Sequence, residues 1–283
     1  MKKTLLAGFL IYLTLFCATA VAAEKIYSFK DFSDIQFSIP GGTLFLSQSD
    51  EYQIVVMGTE DQIEDIVIEK NGTALSIEQE WSFLGIGSVD LNGVEIRIAV
   101  PILEAVATSS AGNIRGLTPF SNSEMIKIHT SSAGDISLSV QAGTIEATCS
   151  SAGSIKLNGK VASLLLESTS SGDIEFSGEV TESLRATTSS AGSINCKLDS
   201  NTTVPESRLK ISSMGNITVT GKGNRVIADS SSSGDLLLKD FQCSDMTVNL
   251  TSSGSAFINV TGNLDMRTSS SGRIVSRGIP RIN

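Results

Sequence analysis

Nine times between Ser109 and Ile274 the chain returns to one short motif, Ser/Thr-Ser-x-Gly-x-Ile/Leu, with x usually small. Its glycines are Gly112, Gly134, Gly153, Gly172, Gly192, Gly215, Gly234, Gly254 and Gly272, separated by 22, 19, 19, 20, 23, 19, 20 and 18 residues. A fixed period near 20 residues marks a repeat architecture, and the repeat governs the fold before any local propensity does.

Aligning the copies on the glycine shows what each repeat contains. Two residues after it, eight of the nine carry Ile or Leu, as at Ile136, Ile155, Ile174, Ile194 and Leu236; Ala256 is the exception. Four after it come Leu138, Leu157, Phe176, Cys196, Val219, Leu238 and Ile258. Six and eight before it lie further apolar residues, such as Ile126 with Ile128, Leu164 with Leu166, and Met246 with Val248. Apolar residues at every second position mean strands with one buried face. Each repeat therefore holds two short strands meeting at a bend, and the glycine belongs where the backbone must approach its neighbour closely. A repeat this short has no room for a helix as well and cannot bury its apolar face alone, so it must stack on the next copy. The sequence thus predicts an all-β parallel solenoid of about 20 residues per coil, residues 105–283, with coils roughly 4.8 Å apart and a repeat region about 40 Å long.

The alignment also assigns columns. The Ser two before the glycine shares parity with the apolar columns and is expected to point inward, its hydroxyls satisfying one another along the axis. Cys196 falls in the apolar column of Leu138 and Phe176, and Cys149 in the small inward column of Thr130 and Thr188. Both read as packing residues.

Residues 24–104 lack the motif yet remain strand-rich, and are expected to cap the solenoid, whose open end would otherwise invite edge-to-edge association. Ile66–Lys70 and Thr73–Ile77 read as a hairpin closed by Asn71-Gly72. Val94–Val100 alternates and stops at Pro101. Beyond Ile274 the chain is short, polar and carries Pro280, a second protection of the far end.

The N-terminus reads as an export signal over residues 1–22. Lys2 and Lys3 precede an apolar run from Leu5 to Phe16, followed by Ala18-Thr19-Ala20 and Ala20-Val21-Ala22, which fit cleavage after Ala20 or Ala22. The apolar run is too short for a transmembrane anchor, and no later stretch is long and apolar enough to be one. The compact form of this signal is of bacterial type. Phe16 in front of Cys17 argues against a lipoprotein anchor there. The expected location is the periplasm, the outer surface or the medium. Losing Lys2 and Lys3 moves the formal charge from −9 to −11. So acidic a chain, with basic residues scattered, is unsuited to nucleic acid and to anionic membranes. Cys149, Cys196 and Cys243 are odd in number and show no CxxC spacing, which argues against a disulfide framework and a thiolate metal site.

The run from Ile35 to Ile98, then Val100-Pro101-Ile102-Leu103, then Ala107-Thr108-Ser109-Ser110-Ala111-Gly112-Asn113-Ile114, resembles the putative auto-transporter adhesin, head GIN domain family. The resemblance spans nearly all of the chain after the signal. It implies a right-handed β-helix, secretion or surface exposure, and a role in adhesion. It carries over no catalytic residues. A literal Gly-Ile-Asn tripeptide and a β-barrel translocator are absent from the sequence.

Chemistry is sparse. Polysaccharide-cleaving β-helices similar to polygalacturonases would need clustered Asp residues and a Gly-His-Gly segment; the single histidine is His129, outward by parity on an ordinary strand. No strained nucleophile motif accompanies it. Asp135, Asp173 and Asp235 share the column just after the glycine, with Ser154, Ser193 and Asn216 interleaved, which separates like charges. The plain reading of that column is relief of repulsion at an exposed turn. It is also the candidate outward binding site, for a surface glycan, a protein or calcium, with paired-carboxylate chemistry the alternative, although the Gly-Gly-x-Gly-x-Asp calcium repeat is missing. Trp81, in a loop-like stretch, is either a contact residue for sugar or protein or a plug over the solenoid end. No catalytic, cofactor-binding or metal-binding residues are assigned. The reading is an exported adhesin-like binding module for glycan or protein, with self-association through its ends open. A carbohydrate-active β-helix enzyme and a non-binding structural envelope module are the alternatives.

Overall fold

The computed structural model describes residues 23–80, 89–269 and 271–282. Residues 1–22, including Cys17, and Trp81 lie outside them. Strands account for 66% of the chain and helix for 2%, in a β-solenoid of about nine turns.

The columns read from the sequence are the register of the sheet. Ile114, Ile136, Ile155, Ile174, Ile194, Ile217, Leu236, Ala256 and Ile274 pair in succession through parallel ladders. All but Ile274, in the last coil, are buried. The column four after the glycine stacks likewise, with Leu157 against Phe176 and Phe176 against Cys196. Because each apolar side chain lies on one of its own kind in the next coil, the core is continuous along the axis and belongs to no single coil. Burying an Ile or Leu this way contributes about 2 kcal/mol, realised only after the neighbouring coil has formed.

The motif glycine sets how close two coils can come. A methyl built on Gly134, Gly153, Gly192, Gly215 or Gly234 would overlap the carbonyl oxygen of the preceding motif glycine; on Gly172 and Gly254 the gap would be 2.5 Å. The amide of Gly153 donates to the Ser132 carbonyl at 2.8 Å, and that of Gly192 to the Ser170 carbonyl at 2.6 Å. The backbone ladder thus runs through the turn, leaving no space for a side chain.

Two expectations are corrected here. In the described copies the Ser two before the glycine is half-buried, and at Ser132 and Ser170 the turn uses its carbonyl. Parity carries from strand to strand only while the chain stays extended, and the turn breaks it. The inward polar column is the small one four before the glycine, already read at Thr130, Cys149 and Thr188, and it holds Thr108, Ser168 and Ser230 as well. There, except at Thr188, whose Oγ1 has no partner among the described residues, the side chain reaches forward within its own coil rather than along the axis. Thr130 Oγ1 donates to the Gly134 carbonyl at 3.0 Å, Ser168 Oγ to Gly172 at 2.8 Å, and Cys149 Sγ to Gly153 at 3.1 Å.

A second bend, six residues after the motif glycine, escaped the sequence reading because only some coils mark it. Gly159 (φ 139°) and Gly178 (φ 147°) stack there beneath Val140. It divides long strands such as Ser154–Ser168 and Asp173–Thr188 between two faces of the solenoid.

The N-terminal segment divides. Asp34–Ser38 and Thr43–Gln48 pair in parallel with Ala105–Thr108 and Asn113–Gly116, so they form a coil of the solenoid itself. It lacks the motif: Ile39-Pro40-Gly41-Gly42 makes its turn, with the Asn113 amide on the Gly42 carbonyl at 2.9 Å. The chain then turns back over this coil. Ala74–Gln79 and Glu95–Val100 lie on it in parallel. Ile66–Asn71 and Gln53–Gly58 add to these antiparallel, and Ala23–Tyr27 adds to Gln53–Gly58. Antiparallel strands therefore end the parallel stack. The hairpin turn falls one residue later than expected, on Gly72-Thr73, with Asn71 paired to Ala74. Both registers keep Ile68 on the core face. The turn decides between them, because Gly72 at φ 61° in the first loop position suits a tight two-residue hairpin. One short helix, Glu60–Glu64, was not foreseen; Thr59 and Gln62 form a capping box at its start. None of the described helices is long and apolar enough to cross a membrane.

The close approach at the glycines generates a test. Gly153→Ala should lower stability by about 2–3 kcal/mol, since overpacking against backbone cannot relax. Ala152→Ser, one residue away on the exposed side of the turn, should stay within about 0.5 kcal/mol. Urea midpoints of the two variants against the parent measure the difference.

Candidate functional site

The solenoid turns its apolar columns inward, so any site must be built from outward columns. The column after the motif glycine carries Asp135, Asp173 and Asp235. The structure places all three on one edge and gives each a partner in the following coil. Asp135 Oδ1 accepts from the Ser154 amide at 3.0 Å and from its Oγ at 2.8 Å. Asp173 Oδ1 accepts from the Ser193 amide, and Asp235 Oδ1 from the Ser255 amide, both at 3.0 Å. One coil earlier, Asn113 Oδ1 takes the Asp135 amide and Asn216 Oδ1 the Asp235 amide, both at 3.2 Å. Asp and Asn side chains thus bridge the ladder where it leaves the turn. Interleaved Ser and Asn separate the charges, and the Ser residues supply the amides that donate to the carboxylates. Among the described residues no group of three or more His, Cys, Asp or Glu is arranged to hold a metal ion.

Asp135 also lines a surface groove of ≈ 600 Å³ on the face formed by the strands that follow the turn. Its walls include Phe45, Arg115, Leu117, Ser137 and Lys156. These side chains come from the outward columns of four successive coils. The groove exists because Ser137, a short side chain, stands between Arg115 and Lys156 in one column. Leu117 is 60% exposed. The Arg97 guanidinium lies 6.0 Å from the centre of the Phe45 ring. Lys156 sits 3.8 Å from Glu175, an exposed pairing of little strength, and Arg115 has no ion pair among the described residues. An aromatic and an aliphatic wall beside a cation, a hydroxyl and a carboxylate make a surface suited to a ligand with both apolar and polar edges. The sequence reading named Asp135 but missed Phe45, Arg115 and Lys156. Their column was visible in the alignment; Phe45 was not, because its coil lacks the motif.

The second face carries a smaller trough of ≈ 420 Å³ lined by Glu146, Leu165, Arg185, Glu206 and Arg208. Its charges are of both signs, with Arg185 stacked on Arg208 in one column. Of the remaining sequence candidates, His129 points outward on its strand, half-buried, as its parity required. Cys149, Cys196 and Cys243 are free and buried. Burial pushes the Cys196 and Cys243 thiols up to about 12, and raises that of Cys149 as well. A thiol held protonated is a poor nucleophile and a poor metal ligand, so these three act as packing groups.

If the aspartate column serves the fold, Asp135→Ala should cost about 1 kcal/mol through the lost Ser154 hydrogen bonds, and Asp135→Asn much less, because its side-chain carbonyl can still accept. Chemical denaturation of both variants checks this.

The comparisons with known proteins agree with this architecture. The family model described as "Putative auto-transporter adhesin, head GIN domain" matches residues 31–204 and 197–280. Similar solved structures include a putative adhesin from Parabacteroides distasonis (TM-score 0.63, 17% identity, 91% of this chain and 98% of that one). Another, from Parabacteroides merdae, gives 0.59 at 16% identity, covering 94% and 97%. A third, from Bacteroides fragilis, gives 0.50 at 14%, covering 92% and 97%. At such identities the likeness is one of fold. No curated protein matches the chain. With a family model that spans the repeats and the segment before them, the chain belongs to the head GIN domain family of auto-transporter adhesin type.

Proposed function

We propose that this chain is an exported, non-catalytic, adhesin-like module that binds a surface glycan or an extracellular protein through its outward faces. Export is supported by Lys2-Lys3, the apolar run to Phe16 and the small residues that follow. The observation that carries the binding role is the Phe45–Lys156 groove. A pyranose ring presents an apolar face to an aromatic wall while its hydroxyls meet Arg115, Ser137 and Asp135. Stacked coils hold these groups in register, so little ordering cost falls on binding. A non-enzymatic role is supported by the family and by the use of Asp135, Asp173 and Asp235 in coil-to-coil hydrogen bonds.

The test presents the processed chain to immobilised polysaccharides and matrix proteins and measures both retained protein and released sugar. Retention without release is expected, weakened roughly tenfold by Phe45→Ala or Arg115→Ala, a change typical of losing an aromatic or Arg anchor. Release of sugar would replace this reading with a carbohydrate-active enzyme. Neither retention nor release would favour a structural envelope module.

A further inference from the structure

The two faces of the solenoid run uninterrupted from one end of the molecule to the other. One face begins at Ala23–Tyr27 and ends at Arg273–Ser276; the other begins at Ile66–Asn71 and ends at Arg281–Ile282. Among the described residues each of these four strands pairs on one side only. Both ends of the rod therefore present backbone donors and acceptors at the edges of both faces, the arrangement that recruits another strand.

The two ends differ in charge. At the starting end the helix Glu60–Glu64 packs against both edge strands and exposes Glu60, Asp61 and Glu64, with Glu69 exposed beside it. Lys25 and Lys70 offset part of that charge. At the far end Arg273 and Arg281 are exposed, and among the described residues neither has an ion pair. Arg277 nearby reaches Asp240 at 3.3 Å.

The far end also leaves its core uncovered. Met266 and Ile274 are half-buried, whereas their counterparts one coil earlier, Val248 and Ala256, are fully buried. Ile279 is 94% exposed and Ile282 68%, and at the opposite end Ile26 is 69% exposed.

We infer that the rod associates head to tail with further copies of itself, the arginine-bearing last coil of one against the acidic cap of the next. In that arrangement Arg273–Ser276 meets the next molecule's Ala23–Tyr27, and Arg281–Ile282 meets its Ile66–Asn71, so both faces continue across the junction. Tail-to-tail pairing would set Arg273 and Arg281 against their own copies, and head-to-head pairing would oppose the carboxylates of two caps. A heterologous contact of this kind does not close on itself, and it builds linear assemblies. The inference does not depend on what the groove binds.

Sedimentation velocity of the processed chain over a concentration series tests it. Elongated oligomers are expected at low salt, receding at high salt as the end charges are screened. Arg273→Glu combined with Arg281→Glu should weaken association at least about tenfold, and so should Glu60→Lys combined with Glu64→Lys. Mixing the two variants sets the native Arg tail of one against the native acidic cap of the other, and the reversed tail against the reversed cap, so alternating linear assemblies should return that neither variant forms alone. All four positions are exposed, and circular dichroism of each variant confirms that the solenoid is intact. A parent chain that stays monomeric at every concentration and salt would overturn the inference. So would association that survives the Glu60 and Glu64 substitutions unchanged, since that would place the contact elsewhere than on the cap.

Discussion

Everything in this molecule depends on how closely one backbone can lie on the next at the motif glycine. There the carbonyl of one coil occupies the space that a side chain on the following coil would need. Remove that contact and the ladders on either side of the turn cannot both stay in register. With it in place, each strand falls at parallel-sheet spacing over its predecessor and the apolar columns superimpose. The fold is thus a consequence of one small residue placed at nearly constant intervals, reinforced by like packing on like. The inward Thr, Ser and Cys four residues earlier fix the same turn from within, donating to the glycine's own carbonyl.

The constraint that shapes the core also shapes the surface. A ladder in register gives outward columns the same spacing as inward ones, so neighbouring side chains on a face come from successive coils. A concavity then arises wherever a short side chain follows long ones, as Ser137 does between Arg115 and Lys156. Such a surface can vary residue by residue without disturbing the packing beneath it. That separation is well matched to a binding module: the rod holds geometry constant while its faces diversify.

Much of this was legible in the sequence because period and parity are both visible there. The positions two and four after the glycine were identified as core, and they form continuous buried columns down to the substitution of Ala256 for Ile or Leu. Three things were hidden, each for a physical reason. The coil at Asp34–Gln48 uses Ile39-Pro40-Gly41-Gly42 in place of the motif, so alignment on the motif skipped it and Phe45 with it. The small inward column at Thr130, Cys149 and Thr188 was read correctly, but the Ser two residues later was wrongly added to the interior, because alternation does not survive a turn whose dihedrals leave the extended region. The coil-to-coil hydrogen bonds of Asp135, Asp173 and Asp235 were hidden because polar, outward and regular placement is the same for a binding column and for a structural bridge; the distances to Ser154, Ser193 and Ser255 reveal the bridge.

The central claim is that the coil, measured from glycine to glycine, is the unit of this structure. Excising Ser154–Gly172 joins Gly153 directly to Asp173 and removes one whole coil while keeping every remaining column in register. Excising Ser154–Ser163 removes only part of that coil and throws all later columns out of phase. Thermal unfolding followed by circular dichroism compares the two. The account predicts a cooperative transition close to that of the parent for the first deletion and loss of the folded state for the second. Equal tolerance of both deletions, or unfolding by both, would contradict it.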